Sequence, residues 1–157
     1  MKIRKLEKAD YAIVDVCMKE LHTLHVTGRP DLYIPLEHIY TEQEFFSIVE
    51  DKRHIAIAAV DENETILGFC IAQLRDKSGM VENVKTVYVD EIFVRKEQRR
   101  KGIAKELFCR LEAIAKSYGV VRIDLMVWEF NKEALKLYEK MGMKPQRYIL
   151  EKNIDNV

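Results

Sequence analysis

A basic loop between a strand pattern and a helix pattern has the residue types that bind phosphate. Residues 95–104 read Arg-Lys-Glu-Gln-Arg-Arg-Lys-Gly-Ile-Ala. The first turn of a helix carries unpaired N–H groups and the positive end of the helix dipole, and Gly102 lets a ligand approach the backbone. The stretch therefore indicates a phosphate-binding site, and a solvated basic loop is the alternative. It has neither the GxxxxGK[ST] nor the GxGxxG spacing.

Two adjacent carboxylates, Asp90 and Glu91, precede this loop in the same strand pattern. A half-buried carboxylate can act as a general base and take a proton, directly or through water. Strand alternation would put the two side chains on opposite faces, so that one of them faces a site. A β-bulge would change that assignment. The alternative is a pair of carboxylates in solvent or in ion pairs.

The histidines and cysteines do not form a metal-binding pattern. His22 and His25 are three residues apart, but no HExxH sequence or nearby cysteine supplies further ligands. Cys17, Cys70 and Cys109 are far apart and odd in number, with no CxxC pair. We therefore expect no metal, no disulfide framework and reduced cytosolic thiols.

The composition is that of a globular domain, and we expect one domain over residues 1–157. Hydrophobic residues make up 48% and charged residues 33% of the chain. Lys+Arg and Asp+Glu both number 26, so no basic excess points to nucleic acid. The first residues lack the apolar core of a secretory signal, and no apolar run reaches the ~18 residues of a membrane span. We expect a cytoplasmic protein that does not bind membranes.

Hydrophobic periodicity and cap residues predict the order β-α-α-β-β-β-α-β-α-β. Asp10 is the expected cap of the first helix, and Thr41 with Glu44 forms a capping box for the second. The predicted strands cover residues 3–5, 55–61, 66–74, 86–94, 120–127 and 145–150, and the helices end near residues 24, 49, 118 and 141. A loop is expected over 25–35. This order predicts a mixed sheet with helices on both faces. The late strand-helix-strand unit should pair in parallel.

Two segments carry a family resemblance. Residues 99–104, Arg-Arg-Lys-Gly-Ile-Ala, resemble the (Arg/Gln)-x-x-Gly-x-(Gly/Ala) motif of the GNAT superfamily of N-acetyltransferases. Residues 131–143, Asn-Lys-Glu-Ala-Leu-Lys-Leu-Tyr-Glu-Lys-Met-Gly-Met, resemble that family's N-x-x-A-x-x-L-Y-x-x-x-G-(F/M) helix. The predicted element order also matches the family over nearly the whole chain, whereas residues 1–50 match only loosely. The resemblance implies the family's α+β fold, with a central mixed, mostly antiparallel twisted sheet flanked by helices on both faces.

The resemblance implies acetyl-CoA as the co-substrate, with its pyrophosphate on the main-chain N–H groups of the loop. The strand end would pair with the pantetheine arm, and an N–H near Ile92 or Phe93 would face the thioester oxygen as an oxyanion hole. Asn131 would contact the pantetheine. The implied cofactor-binding residues are Ile92, Phe93, Val94, Arg99, Arg100, Lys101, Gly102, Ile103, Ala104 and Asn131.

The resemblance also implies the catalytic roles. Tyr138 is the expected general acid, because a phenol of pKa ~10 can protonate a thiolate whose thiol pKa is about 8.5. A core aromatic residue is the alternative. Asp90 or Glu91 is the expected base, with Asp90 favoured by analogy to relatives that carry an acidic pair. No cysteine occupies a motif position, so we expect direct transfer without an acyl-enzyme.

The acceptor is expected to be a small-molecule amine. A protein N-terminus or lysine is the alternative acceptor, and the donor can be acetyl-CoA or a longer acyl-CoA. A module that binds acyl-CoA without catalysis is the rival interpretation. Many relatives are dimers, and the resemblance is compatible with a homodimer. The segment over 25–31 resembles an acceptor-side loop of some bacterial relatives, although Arg29 and Asp31 could equally anchor it structurally.

Overall fold

The computed structural model describes residues 1–77 and 84–154. They form two compact units, Met1–Met126 and Val127–Val157, each described by itself below. The described strands are β1 (Lys2–Lys5), β2 (His54–Val60), β3 (Ile66–Lys77), β4 (Val84–Val94) and β5 (Arg122–Leu125). The described α-helices are α1 (Tyr11–Gly28), α2 (Glu42–Glu50), α3 (Ile103–Ser117) and α4 (Lys132–Lys140), with 3-10 turns at Lys8–Asp10 and Lys96–Gln98.

The strands form one mixed sheet in the order β1-β2-β3-β4-β5. The pairs from β1 to β4 are antiparallel, and β4 pairs with β5 in parallel. The β2–β3 hairpin turns at Asp61, whose Oδ1 accepts hydrogen bonds from the N–H groups of Asn63 and Thr65, both at 2.9 Å. The predicted hairpin and the parallel pairing across the third helix are both confirmed.

Each face of the sheet carries its own hydrophobic core. On one face α3 packs through Leu107, Leu111 and Ala115. On the other face α1 and α2 pack through side chains that include Val14 and Phe45. Burying one large aliphatic or aromatic side chain stabilises the fold by roughly 1.5–3 kcal/mol. The predicted arrangement, an α+β fold with helices on both faces of a mixed sheet, is confirmed.

Local hydrogen bonds fix where the helices begin and end. The capping box of α2 is present, because Thr41 Oγ1 accepts from Glu44 N at 3.2 Å and Glu44 Oε2 accepts from Thr41 N at 2.8 Å. Gly119 follows α3 at φ 72° and Gly142 follows α4 at φ 81°, as expected of glycines that end helices. None of the helices in the described ranges is long and apolar enough to cross a bilayer.

The first helix differs from its prediction at both ends. It continues to Gly28, so the loop expected from residue 25 begins at Arg29. Asp10 stands at the N-cap of α1, but its side chain makes no cap hydrogen bond there. Its carboxylate instead accepts from Arg4 at 2.7 and 2.8 Å and from Glu7 N at 2.8 Å. Burial raises the pKa of Asp10, but the hydrogen bonds from Arg4 and from Glu7 N and the positive charge of Arg4 together outweigh it and lower the pKa.

The last predicted strand, over residues 145–150, is wrong. This segment has no strand in the structure, and its side chains are exposed, with Tyr148 at 81% and Leu150 at 90%. Its aromatic and branched residues give it strand propensity. A strand also needs partner backbone groups to complete its hydrogen bonds, and within the described ranges no strand pairs with this segment. β5 is shorter than predicted, partly because Val120 N donates to Ala115 O at the end of α3.

Replacing Arg4 should measure how much the protein is destabilised when the buried Asp10 carboxylate loses its ion-pair partner. We expect Arg4→Met to lower the free energy of unfolding by about 2–4 kcal/mol at pH 7. The loss should shrink as the pH falls below 4, because protonated Asp10 no longer needs the guanidinium and wild type loses the contribution of its depressed pKa. Urea unfolding at pH 7 and pH 3.5 measures both effects.

Arg53→Met is the matched control, since Arg53 is 59% exposed and its partner Asp76 is 60% exposed. We expect it to change the unfolding free energy by less than about 0.5 kcal/mol. Equal losses in the two variants would contradict the structural role of the Arg4–Asp10 pair.

Candidate active site

Strand β4 contains one residue more than its partner at Asp90. Glu91 pairs with Ile71 and Val89 pairs with Ala72, so Asp90 has no opposing residue on β3. An extra residue of this kind is a β-bulge, which changes the alternation of the strand. The bulge therefore determines which faces the two carboxylates take.

The packing on either side of Asp90 reveals the change in alternation. Before the bulge, Val87 and Val89 belong to the core under α3; after it, Ile92 and Val94 pack against that same core. Phe93 belongs to the opposite core, with α1 and α2. Side chains at 90 and 91 consequently lie on the α1–α2 face together. Simple alternation, which would put Asp90 and Glu91 on opposite faces, is wrong here.

Glu91 is the more perturbed carboxylate of the pair. Its Oε1 accepts a hydrogen bond from the Tyr40 hydroxyl at 3.4 Å. Burial raises the pKa of Glu91 and the charge of Asp90 raises it further, while the Tyr40 hydrogen bond opposes them, leaving the pKa at about 7. A carboxyl with this pKa can accept a proton from an ammonium group much more readily than an ordinary glutamate can.

Asp90 is held by an arginine on β3. Arg75 Nη2 donates to Asp90 Oδ1 at 3.4 Å, and the same guanidinium lies 3.8 Å from the ring centroid of Tyr88. Burial raises the pKa of Asp90, and the positive charges of Arg75 and His54 oppose the rise. The Asp90 side chain is 28% exposed. Asp90 is thus an ion-paired carboxylate, whereas the pKa of Glu91 is set by burial, the charge of Asp90 and the Tyr40 hydrogen bond.

The end of β4 presents an open backbone edge. The parallel ladder with β5 ends at the pair Val89 and Leu125, whereas β4 continues along β3 to Val94. Over 90–94, the edge of β4 away from β3 has no strand partner in the described part of the chain. A ligand with amide groups in an extended arm can add to such an edge as an extra strand. Ile92, Phe93 and Val94 of the expected cofactor site lie on this edge.

The loop after β4 turns its backbone toward the start of α3. Arg100 has φ 65° and Gly102 has φ 83°, both in the left-handed region. Gly102 is the N-cap of α3 and no side chain caps the helix there, so the first N–H groups of the helix, at Ile103 and Ala104, have no side-chain cap. Left-handed residues beside an uncapped helix start form an anion-binding concavity.

Two basic side chains of the loop, Arg99 and Lys101, make hydrogen bonds and an ion pair that hold it in place. Arg99 Nε donates to the Val94 carbonyl at 3.0 Å, and its Nη2 pairs with Glu20 of α1 at 2.9 Å. Lys101 Nζ donates to Gln98 Oε1 at 2.9 Å. The predicted phosphate ligand Arg99 therefore also anchors the loop to the end of β4. The sequence did not identify Glu20, since only the fold brings it to the loop.

The second motif lies in the Val127–Val157 unit. Asn131 is the N-cap of α4, and its Oδ1 accepts from Ala134 N at 3.2 Å. Tyr138 is half-buried on α4, and its carbonyl accepts from Met143 N at 3.0 Å, just past Gly142. Capping thus explains the asparagine and the glycine of the motif. The pantetheine contact of Asn131 and the acid role of Tyr138 stay predictions.

The histidines and the loop after α1 make local contacts. His22 Nε2 is 2.8 Å from the Ile34 carbonyl oxygen, and the His25 ring stacks on Tyr33 with centroids 5.3 Å apart. The Arg29 guanidinium pairs with Asp31 at 2.7 Å. This pairing agrees with the anchoring alternative for the segment over 25–31.

Sequence reasoning also missed two residues beside the carboxylate pair. Tyr40 and Arg75 contact the carboxylate pair, but neither lies in a recognised motif. The one available signal was the position of Tyr40 immediately before the capping box at Thr41. Nothing in the sequence pattern indicates that the start of α2 reaches β4.

Comparisons with known proteins identify similar sequences and folds. The family described as Acetyltransferase (GNAT) family matches residues 18–143. L-ornithine N5-acetyltransferase NATA1 of Arabidopsis thaliana is 38% identical over 55 residues, covering 35% of this chain and 24% of that protein. Thialysine N-epsilon-acetyltransferase of Caenorhabditis elegans is 32% identical over 53 residues, covering 34% of this chain and 33% of that protein. The chain thus matches only a quarter to a third of the length of these relatives.

A solved structure is similar over the full chain. The tetramutant of the BH1408 protein from Bacillus halodurans superposes with a TM-score of 0.93 at 27% identity, covering 98% of this chain and 100% of that chain. The shared fold therefore extends through the N-terminal segment that matches the family motifs loosely.

Gly102 offers a test of the loop that does not depend on any ligand. A Cβ at this position would meet nothing within 4 Å, so the cost of a side chain comes from φ 83° alone. We expect Gly102→Ala to lower the free energy of unfolding by about 1–2 kcal/mol. We expect Gly102→Asn to lose less, because asparagine adopts left-handed backbone more readily. Urea unfolding measures both; an alanine variant as stable as wild type would contradict the left-handed cap.

Proposed function

The chain belongs to the acetyltransferase (GNAT) family, and we propose that it transfers the acetyl group of acetyl-CoA directly to a primary amine of a small molecule. The observation that carries the proposal is the bulge at Asp90. It puts Asp90 and Glu91 on one face of β4, next to the open edge of Ile92–Val94. Acid–base groups beside a backbone edge are what amine acylation needs.

The residues of the loop and the strand edge fit acetyl-CoA. We propose that the N–H groups of Ile103 and Ala104, with the basic residues Arg99 to Lys101, bind the pyrophosphate. The uncapped start of α3 and the left-handed Gly102 support this role. The open edge over Ile92–Val94 would bind the pantetheine arm, with Asn131 as a further contact. Acetyl-CoA supplies the activated acetyl group.

We propose Glu91 as the general base. An acceptor amine is mostly protonated at neutral pH and must lose a proton before it attacks. Glu91 has a pKa of about 7, whereas Asp90 is paired with Arg75. The sequence favoured Asp90, but these contacts favour Glu91, with Asp90 raising the proton affinity of its neighbour. The main-chain N–H near Ile92 or Phe93 would stabilise negative charge on the carbonyl oxygen.

Tyr138 is our proposed general acid. The family motif over residues 131–143 supports it, and α4 carries the residue half-buried. A phenol remains protonated at neutral pH and can deliver its proton to a departing thiolate.

The acceptor is proposed to be a small, positively charged amine. By their names, the relatives from Arabidopsis and Caenorhabditis act on ornithine and thialysine, which are small amines. Two adjacent carboxylates, of which Asp90 pairs with Arg75, favour a cationic acceptor. We further propose that the enzyme acts in the cytoplasm, which its free cysteines Cys17, Cys70 and Cys109 would suit.

Substitution of the two carboxylates tests the base. We expect Glu91→Gln to lower kcat/KM by about 10²–10⁴-fold at pH 7, and Asp90→Asn to lower it less. The loss in Glu91→Gln should shrink toward pH 10, where the acceptor amine deprotonates in solution. Acetyl-CoA-dependent thiol release across a panel of amines and peptides measures the rates. A larger loss in Asp90→Asn would transfer the base role to Asp90.

Tyr138→Phe tests the acid in the same assay. We expect kcat to fall by about 10²-fold while the Kd for CoA is unchanged. Tyr148→Phe is the matched control in the same unit, since that ring is 81% exposed. Wild-type kcat in Tyr138→Phe would contradict the acid role. Tight CoA binding by wild type without turnover of any amine or peptide would favour the non-catalytic binding module.

A further inference from the structure

The chain between α1 and α2, residues 29–41, is fastened along one side of α1. We call it the α1–α2 segment. Three side-chain contacts from successive parts of the helix hold it: Tyr11 donates to the Tyr40 carbonyl at 3.0 Å, Asp15 pairs with His38 at 2.9 Å, and His22 contacts the Ile34 carbonyl at 2.8 Å. These contacts define the path of the segment along α1 and fix the position of Tyr40 beside β4.

Tyr40 is oriented by the start of α2. It immediately precedes the N-cap Thr41, which is locked by its reciprocal hydrogen bonds with Glu44. Tyr40 and Phe45 occupy the two positions of a hydrophobic staple, and both belong to the core of the α1–α2 face. A residue held between a capping box and a core has little freedom to turn its ring. Its hydroxyl direction is thus set by local structure rather than by Glu91.

The Tyr40 hydroxyl meets Glu91 as a hydrogen-bond donor. The distance of 3.4 Å between the hydroxyl oxygen and Glu91 Oε1 is long for such a bond, so its energy is modest. Burial and the charges of Glu91 and Asp90 raise the pKa of Tyr40 well above its ordinary value. The phenol therefore stays protonated throughout the pH range in which Glu91 titrates.

We propose that Tyr40 is a positioning residue that holds the Glu91 carboxylate on the α1–α2 face, where it takes the proton of the acceptor amine. The α1–α2 segment thereby influences the reaction through a single contact, the hydrogen bond from the Tyr40 hydroxyl to the proposed base Glu91. This inference rests on the proposed function of Glu91, but the contact itself can be tested without a substrate.

Several other charged groups act on the carboxylate pair and must be separated from Tyr40. Asp90 on β4, Arg75 on β3 and His54 on β2 act on the pair itself, whereas Glu44 on α2 acts on Tyr40. Asp90 raises the pKa of Glu91, whereas Arg75 and His54 act on Asp90. Removing only the Tyr40 hydroxyl leaves all four in place.

The sign of the effect follows from the hydrogen bond. A donor stabilises the ionised carboxylate, so the Tyr40 hydroxyl lowers the pKa of Glu91. In Tyr40→Phe the pKa of Glu91 should therefore rise, by less than about one unit because the bond is long. The acid limb of the kcat/KM profile should move to higher pH by the same amount. The rate loss should be largest below pH 7 and nearly absent at pH 9.

The experiment combines NMR with kinetics. Titration of ¹³C-labelled glutamate carboxyls gives the midpoint of Glu91, which Glu91→Gln identifies by the resonance that disappears. The pH profile of kcat/KM is measured on the same proteins. Tyr118→Phe is the control, because that half-exposed phenol follows α3. Urea unfolding verifies that each variant is folded. Tyr11→Phe, which loosens the segment while keeping the Tyr40 hydroxyl, should shift both readouts in the same direction by less.

The outcomes are distinct. Parallel upward shifts of the Glu91 midpoint and of the acid limb in Tyr40→Phe, with none in Tyr118→Phe, support the proposal. An unmoved midpoint overturns it, and so does a moved midpoint with an unmoved acid limb or an equal rate loss at every pH. If wild type acetylates no acceptor, the proposed function fails, and the NMR midpoint alone decides whether Tyr40 holds Glu91.

Discussion

One extra residue in β4 controls the arrangement of the candidate site. If the same residues paired without the bulge, simple alternation would continue through Asp90, and the apolar side chains beyond it would exchange cores. The bulge lets Val87 and Ile92 reach the same core although five positions separate them. It also brings two carboxylates onto one face, which costs free energy through the repulsion of like charges. Carboxylates with strongly perturbed pKa values are concentrated at functional sites, which agrees with a catalytic role for this pair.

The two cores make that arrangement rigid. Phe93 on one side and Ile92 on the other are both packed, so β4 cannot slip by one residue without exposing one set of side chains. Hydrophobic burial on both sides of the sheet thus fixes the backbone that carries the two carboxylates. Arg75 and Tyr40 then differentiate them, one by an ion pair and the other by a hydrogen bond.

Local sequence signals predicted most of the helices and strands. They did not predict features that depend on strand register or on contacts between distant residues. The capping box at Thr41 and the glycine at 119 depend on neighbours within a few residues, so the sequence located both. The bulge at Asp90 depends on pairing with β3, and the sequence could name it only as an alternative. Tyr40 reaches Glu91 from 51 residues away. The predicted strand over 145–150 failed for the converse reason, because propensity does not supply a partner.

Arg99 has a consequence for the thermodynamics of ligand binding. Its guanidinium is held by the Val94 carbonyl and by Glu20 before any ligand arrives. A free arginine loses up to about 2 kcal/mol of rotamer entropy when it is immobilised. In this protein Arg99 loses much of that rotamer entropy on folding. Binding of an anion to the loop therefore removes little further side-chain entropy from Arg99. The association should accordingly carry a smaller entropic penalty than a flexible basic loop would impose.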